Sequence, residues 1–238
     1  SSAVVEAMTR LSNGPVVTTS VGFAERAFSE LDHARAVART VGSDHHEVVV
    51  EPRAAEVLPR LVWHLDEPFA DSSALATYYV SKAARERVTV ALSGDGGDEV
   101  FAGYQRRYGL NRWEAGLRRW LPGWVGAGVL GPLGRVYPKA DWLPRPLRAR
   151  YFLQNLGTTF EQAYFSDLSL FRGEEKAALL SPDLRRQLNG HDPFVAFARH
   201  FERVRGLDPL SQLLYVDLKT WLANDILVKV DRMSMANS

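Results

Sequence analysis

The sequence contains no cysteine. This excludes disulfide bonds, thiolate metal ligands and a cysteine nucleophile within the chain. The lack of cysteine is compatible with the cytoplasm, where we expect the protein to be located.

Net charge and long apolar runs are also missing. The 29 basic and 28 acidic side chains give a formal charge of +1, so neither nucleic acid nor a membrane is an expected partner. The most apolar stretch, Trp120 to Gly134, is shorter than the roughly 18 residues of a membrane span, and glycine and proline interrupt it. The first residues, Ser1 to Val5, lack the basic start of a secretory signal.

The first hundred residues alternate between helical and β-strand patterns. The predicted elements, in chain order, are a helix over Ser1–Leu11, strands over Val16–Val21 and Glu47–Val50, a helix over Ser73–Glu86 and a strand over Val88–Leu92. Ser29 and Asp32 predict a capping box for a further helix, which Gly42 ends. This alternation predicts an α/β fold, a parallel sheet with flanking helices over residues 1–104.

The remainder, residues 105–238, has mainly helical patterns and completes one domain. The expected helices after Tyr151 are Glu161–Leu168, Gly173–Leu180, Pro182–Leu188, Phe194–Arg203 and Pro209–Leu222. Between Arg112 and Arg119 a solvated helix is expected to turn Trp113, Leu117 and Trp120 inward. Residues 120–147, rich in proline, glycine and tryptophan, predict an irregular packed connection.

An acidic glycine-rich loop, Ser93–Tyr104, follows the strand predicted over Val88–Leu92. Its glycines permit positive φ and let a ligand approach the backbone closely. Carboxylates beside a phosphate require a divalent cation or an amine between them. The residues therefore allow a Mg-nucleotide site, a site for an amino group, or an acidic surface turn.

The same loop resembles the second signature of glutamine-dependent asparagine synthetases. That family has an adenine-nucleotide α-hydrolase, or ATP-pyrophosphatase, type of fold. The resemblance implies that Leu92, Ser93 and Gly94 bind ATP. It also implies that Asp98 assists the Mg²⁺-pyrophosphate end and that Asp95 orients the activated intermediate or the incoming amine.

Two further segments resemble nucleotide-binding parts of this family. Ser1 and Ser2 are similar to the end of its Ser-Gly-Gly-x-Asp-Ser pyrophosphate loop, whose glycines and aspartate are not in this sequence. Ser20, Val21 and Gly22 match a short segment whose backbone contacts adenine. Without the family, the same three residues predict a core strand.

Residues 64–73 form a predicted loop that ends in a helix cap, and the resemblance places this loop near the substrate pocket. Its acids are Asp66, Glu67 and Asp71. Adjacent histidines at His45 and His46 are not expected to hold one metal ion, because neighbours on a strand point to opposite faces.

The carboxyl-terminal segment, Trp221–Ser238, resembles the family's Leu-Pro-x-Asp-x-Leu-x-Lys-x-Asp-Arg-x-Ser-Met-Ala motif. Ala223 stands where proline is usual. Lys229 and Arg232 are the candidate catalytic cations, which offset charge on the α-phosphate or hold a substrate carboxylate. A helix end with basic residues is the alternative interpretation.

The resemblance implies ATP-dependent conversion of aspartate to asparagine through β-aspartyl-AMP, with release of AMP and pyrophosphate. ATP and Mg²⁺ are the expected cofactors, and ammonia from glutamine is the nitrogen source. A glutaminase domain, absent here, and a homodimer are expected of the full-length protein. The chain looks truncated at both ends and is expected to be inactive alone. The alternatives are another amidoligase of this scaffold, such as a β-lactam synthetase or a peptide cyclase, or a non-catalytic nucleotide-binding fragment.

Overall fold

The structure is a computed structural model that describes residues 1–23, 29–50, 54–139, 142, 144 and 148–238. The chain forms two compact units. The first consists of Ser1–Gly97 together with Trp221–Ser238, and the second consists of Asp98–Thr220.

The first unit contains a small parallel sheet and six helical elements among its described residues. They are α1 (Ser2–Leu11), β1 (Val17–Phe23), α2 (Leu31–Val41), β2 (Asp44–Val50), α3 (Ala54–Leu65), α4 (Ser73–Arg85), a π-helical turn (Leu222–Ile226) and α15 (Leu227–Met235). The strands β1 and β2 pair in parallel, from Val17 opposite Asp44 to Phe23 opposite Val50. The α/β prediction is therefore confirmed in its coarse form: two parallel strands flanked by helices.

The apolar core of this unit lies between α3, α4 and α15. Its buried members are Leu61, Leu65, Ala74, Tyr78, Met233 and Ala236. By contrast, α1 has no buried residue, and Leu11 is 86% exposed. The carboxyl-terminal segment is thus a structural part of the first unit.

The capping box predicted at Ser29 is wrong. Helix α2 begins after Glu30, which makes no side-chain capping hydrogen bond. The predicted end is confirmed, because Gly42 adopts the left-handed conformation at φ 71°.

The strand predicted over Val88–Leu92 is also wrong. This segment belongs to no sheet, and Val90 and Leu92 are 79% and 66% exposed. A strand requires a neighbour for its backbone hydrogen bonds, and the only sheet among the described residues pairs β1 with β2 alone. β-branched residues therefore did not suffice to form a strand here.

The second unit is helical in every described element. It contains α6 (Gln105–Trp120), α7 (Gly123–Val125), a π-helical turn (Gly126–Leu130), α8 (Gly131–Val136), α9 (Arg150–Leu156), α10 (Phe160–Leu168), α11 (Gly173–Leu179), α12 (Pro182–Leu188), α13 (Phe194–Arg203) and α14 (Pro209–Lys219). Its apolar core consists of Tyr108, Tyr164, Phe201, Leu213 and Val216. The short helix α5 (Gly97–Phe101) carries the chain from the first unit into the second.

The predicted inward face of α6 is wrong at both tryptophans, whereas Leu117 is half-buried. Trp113 and Trp120 are 60% and 86% exposed, whereas Asn111 and Glu114 are buried. Trp113 instead stacks on Phe152 of α9, with ring centroids 4.9 Å apart. A buried polar network replaces the apolar contacts that periodicity predicted.

The connection predicted to be irregular over residues 120–147 is helical from Gly123 to Val136. Glycines on its buried side allow a close approach to α9. A Cβ atom on Gly134 would lie 2.6 Å from the backbone nitrogen of Gln154. Residues 140–141, 143 and 145–147 lie outside the described part of the chain.

Within the described ranges, no helix is long and apolar enough to cross a membrane.

Candidate active site

The first half of the acidic loop is a tight turn over Gly94–Gly97. The backbone N–H of Gly97 donates to the carbonyl of Gly94 at 3.1 Å, and Gly96 has a φ of 88°. Positive φ at the third position of a turn explains the glycine there. The turn leaves the Asp95 side chain exposed.

Gly94 packs directly against Ser1. A Cβ atom at Gly94 would lie 2.7 Å from Ser1 Oγ and 2.9 Å from Ser1 Cα. Two residues predicted to bind nucleotide, 93 positions apart in the sequence, are thus brought together. Ser1 also precedes α1, which begins at Ser2 and whose first N–H groups favour an anion.

The other predicted nucleotide residues are placed separately. Ser20, Val21 and Gly22 lie in β1, opposite Glu47, Val48 and Val49. Gly22 is buried, and a Cβ atom there would lie 2.7 Å from Leu31 Cγ, so packing alone explains this glycine. Leu92 and Ser93 are exposed in the segment that leads into the turn.

The second half of the acidic loop belongs to the second unit. The Asp98 side chain is exposed and reaches over Gly103, where a Cβ atom would lie 2.7 Å from the carboxyl carbon of Asp98. Glu99 is 1% exposed and accepts a hydrogen bond from the Tyr104 hydroxyl at 2.7 Å. The two acids therefore differ: Asp98 faces solvent and Glu99 fixes the loop. Sequence reasoning did not assign that role to Glu99.

The described residues contain no cluster of three or more His, Asp or Glu side chains that could hold a metal ion. A single exposed carboxylate such as Asp98 nevertheless fits Mg²⁺, which proteins usually hold with one or two carboxylates plus substrate phosphates. The two histidines of β2 contact different partners. His45 Nδ1 lies 2.9 Å from Thr18 Oγ1, and His46 Nε2 lies 3.3 Å from Asp44.

Lys229 is a buried cation that pairs with the loop before α4. Its Nζ donates to Asp71 Oδ2 at 2.7 Å and to Ser73 Oγ at 2.6 Å. Burial opposes ionisation of Asp71, but the hydrogen bonds from Lys229 and Ser73 outweigh it and lower the pKa of Asp71. Arg232, one turn further along α15, is exposed.

Asp225 is a second acid beside this pair that sequence reasoning did not single out. It lies in the π-helical turn, four residues before Lys229, and its Oδ2 is buried with no hydrogen-bond donor among the described residues. Burial first, and then the Asp71 charge, raise the pKa of Asp225. The i, i+4 spacing of Asp225 and Lys229 was the sequence signal that the two charges lie near each other.

The second unit contains two further fully buried carboxyl groups with structural partners. Asp217 accepts hydrogen bonds from the hydroxyls of Tyr108 and Tyr164, each at 2.6 Å. Glu114 accepts from Asn155 Nδ2 at 3.2 Å, and burial raises its pKa to about 7. Hydrogen bonds within the helical unit therefore account for both acids.

Comparison with known proteins places this geometry in context. The family described as asparagine synthase matches residues 1–238. Asparagine synthetase (glutamine-hydrolysing) 1 of Bacillus subtilis is 32% identical over 226 residues, which cover 93% of this chain and 33% of that protein. A provisionally named glutamine-hydrolysing asparagine synthetase of Mycobacterium tuberculosis is 34% identical over 241 residues, which cover the whole chain and 34% of that protein.

A shorter match has higher identity. The provisionally named glutamine-hydrolysing asparagine synthetase 2 of Methanocaldococcus jannaschii is 42% identical over 106 residues, or 44% of this chain and 20% of that protein. The chain thus spans about a third of the length of the longer-matching relatives. No solved structure matches the chain.

Proposed function

Because this chain belongs to the asparagine synthase family, we propose that the protein containing it forms asparagine from aspartate and ATP. The nitrogen source is ammonia released from glutamine, in keeping with the printed names of the relatives. AMP and pyrophosphate are the other products.

The observation that carries this proposal is the contact between the Gly94 turn and Ser1. The Gly94 turn lies beside the start of α1, where N–H groups and the helix dipole favour a phosphate. The exposed acid Asp95 is the next residue of the turn. A turn of this composition suits a nucleotide whose charge a cation partly neutralises.

In the first step, a carboxylate oxygen of aspartate attacks the α-phosphorus of ATP, and the bond from that phosphorus to the pyrophosphate oxygen breaks. Asp98 would hold Mg²⁺, whose charge offsets that of the phosphates. The phosphates would be positioned by Leu92, Ser93, Gly94, Ser1 and Ser2. The adenine would be bound by Ser20–Gly22. Lys229 and Arg232 would offset the remaining negative charge.

In the second step, ammonia attacks the acyl carbon of β-aspartyl-AMP. The carbon–oxygen bond to AMP breaks, AMP leaves with its oxygen, and the nitrogen loses a proton. Asp95 would orient the intermediate or the incoming amine, so that the reaction proceeds at a fixed geometry.

The remaining expectations are part of the same proposal. The full-length protein would add a glutaminase domain to this chain, act in the cytoplasm and assemble as a homodimer. Residues 1–104 would serve nucleotide binding, and residues 105–238 would complete the synthetase domain.

The test is the release of pyrophosphate from ATP by the intact protein, in the presence and absence of aspartate and ammonia. We expect Asp98→Asn to lower turnover on the order of 100-fold, because one charge-stabilising group is lost. Asp183→Asn is the matched control, since the Asp183 side chain is 75% exposed on α12 and has no assigned part in the reaction.

Two outcomes contradict the proposal. Equal turnover by Asp98→Asn and the wild type would exclude the Mg²⁺ role. Pyrophosphate release that needs neither aspartate nor ammonia, but a substrate with its own amine, would instead indicate another amidoligase of this scaffold.

A further inference from the structure

Lys229 is the buried member of a cluster that contains more acid than base. The cluster consists of Asp71, Ser73, Asp225 and Lys229, all within the first unit. The Lys229 side chain is only 6% exposed and that of Asp71 is 19% exposed. Water therefore screens these charges weakly, and each proton in the cluster affects its neighbours.

Asp71 accepts three hydrogen bonds, which leaves its Oδ1 room for one further donor. Its Oδ1 accepts from the Ser73 backbone N–H at 2.8 Å, and its Oδ2 accepts from the Ser73 hydroxyl at 2.7 Å and from Lys229 at 2.7 Å. Lys229 and Asp71 thus form a neutral pair. The ammonium group has three donors, and these contacts use two of them.

Asp225 adds a second carboxyl group to this neutral pair. If it were ionised, the cluster would contain an additional negative charge with no cation of its own. That charge is unfavourable, because Asp225 is half-buried and its Oδ2 is shielded from water with no donor among the described residues. Two carboxylates cannot hydrogen-bond each other, because neither has a donor. A single proton on Asp225 removes the unpaired charge and supplies the missing donor. The pKa of Asp225 is raised, first by burial and then by the Asp71 charge, which agrees with this protonation.

The charged groups around Asp225 support the same assignment. Asp71 comes from the loop before α4, and Lys229 comes from α15 itself. On α3, Arg60 donates to the carbonyl of Ala236, at the opposite end of α15. Asp71 and Lys229 are therefore the groups that set the charge of Asp225.

We propose that Asp225 carries a proton that it donates to Asp71, and that the two acids act as positioning residues that hold the Lys229 ammonium in one orientation. The catalytic role of Lys229 rests on the proposed function. While Asp225 is protonated, the cluster is neutral and adds no negative charge near the substrate. Ionisation of Asp225 gives the cluster a net negative charge, which disfavours an anionic substrate beside Lys229.

A first measurement tests the proton without using activity. The infrared spectrum of the intact protein at neutral pH is compared with that of Asp225→Asn. We expect the difference spectrum to lose one carbonyl band of a protonated carboxyl group. Asp32→Asn is the control, because the Asp32 side chain is 96% exposed on α2, and it should lose no such band. A spectrum that loses only carboxylate bands in Asp225→Asn would overturn the proposal.

A second measurement tests positioning through the pH profile of pyrophosphate release. Asn resembles a protonated Asp and retains a donor for Asp71, so Asp225→Asn should keep turnover within about twofold and should not lose it at alkaline pH. Asp225→Ala lacks that donor, and its turnover should fall about tenfold because a hydrogen bond to a charged group is removed. Equal losses in both variants would overturn the positioning role.

The two measurements separate this proposal from the proposed function. If the infrared band is present but the wild-type protein releases no pyrophosphate with aspartate, the proton assignment holds and the proposed function is wrong. If the wild type is active and the band is absent, the assignment of the proton is wrong and the proposed function is unaffected.

Discussion

Glu114 gives the second unit a carboxyl group that titrates near neutral pH. It is fully buried and shares the Asn155 amide with Asp167, while Arg118 lies 3.7 Å away. Burial is the largest cause of its raised pKa, and the weaker effects of Asn155 and Arg118 do not cancel it. The folded state therefore binds this proton more tightly than the unfolded chain does.

We expect the helices around Glu114 to lose stability as pH rises from 4.5, the ordinary pKa, through about 7, the folded value. Over that window the unfolded chain releases the proton first, so the loss amounts to about 3 kcal/mol at most. Glu114→Gln should abolish this dependence. The measurement is hydrogen exchange of α6 and α9 in the intact protein against pH, corrected for intrinsic rates. An unchanged pH dependence in the variant would contradict the assignment.

Gly94 and Gly97 offer a matched pair of substitutions within one turn. Gly94→Ala would push a methyl group into Ser1, whereas a Cβ atom on Gly97 meets nothing within 4 Å. Overpacking of this kind destabilises by about 1–3 kcal/mol, so ATP affinity should fall roughly tenfold or more in Gly94→Ala only. Isothermal titration calorimetry of the intact protein with ATP measures this. Equal affinities in the two variants would show that the contact with Ser1 does not matter for binding.

At the scale of elements, the helical segment from Gly123 to Val136 has an unusual distribution of side chains. Its buried positions are the glycines 126, 131 and 134, while Trp124 and Val136 are 73% and 79% exposed. The packing against α9 therefore depends on close backbone approach and not on interdigitating side chains. Glycine is required on this side because any Cβ atom would displace α9.

We expect Gly134→Ala to open this helix pair. The added methyl group would meet Gln154 and the Arg150 carbonyl at 2.6–3.0 Å, which is a loss of about 1–3 kcal/mol. Gly128→Ala is the control, because nothing lies within 4 Å of that position and alanine favours a helix by about 1 kcal/mol over glycine. Exchange of the α8 and α9 amides should be faster in Gly134→Ala and unchanged or slower in Gly128→Ala. Faster amide exchange in Gly128→Ala than in Gly134→Ala would contradict the close backbone packing at Gly134.

At the scale of the whole molecule, burial is distributed unevenly along the chain. In the second unit, α10 and α14 contain Tyr164, Leu213 and Val216, all with no exposed surface. In the first unit, α1 contains no buried residue. Local opening is easiest where few apolar contacts must be broken.

Hydrogen exchange should therefore be slowest in α10 and α14 and fastest in α1. Mass spectrometry of peptides from the intact protein gives this order directly. Protection of α1 as strong as that of α14 would mean that α1 is covered in the intact protein by residues outside this chain.

Local sequence determined most helices, because their signals lie within a few residues. Ser181 and Pro182 begin α12 and Pro209 begins α14, as the caps and apolar periods predict. The family was also identifiable from two continuous motifs, Ser93–Tyr104 and Leu222–Ala236, and the match over the whole chain confirms it.

Tertiary structure alone decided that Val88–Leu92 forms no strand, which face of α6 is buried and which residues contact Lys229. A strand forms only beside a neighbour, and a polar network buries Asn111 and Glu114 in place of two tryptophans. Asp71 and Lys229 are 158 residues apart, yet they share a hydrogen bond. Local preference acts over a few residues, whereas partners in a fold are chosen by packing across the whole chain, so these contacts could not be derived from the sequence pattern.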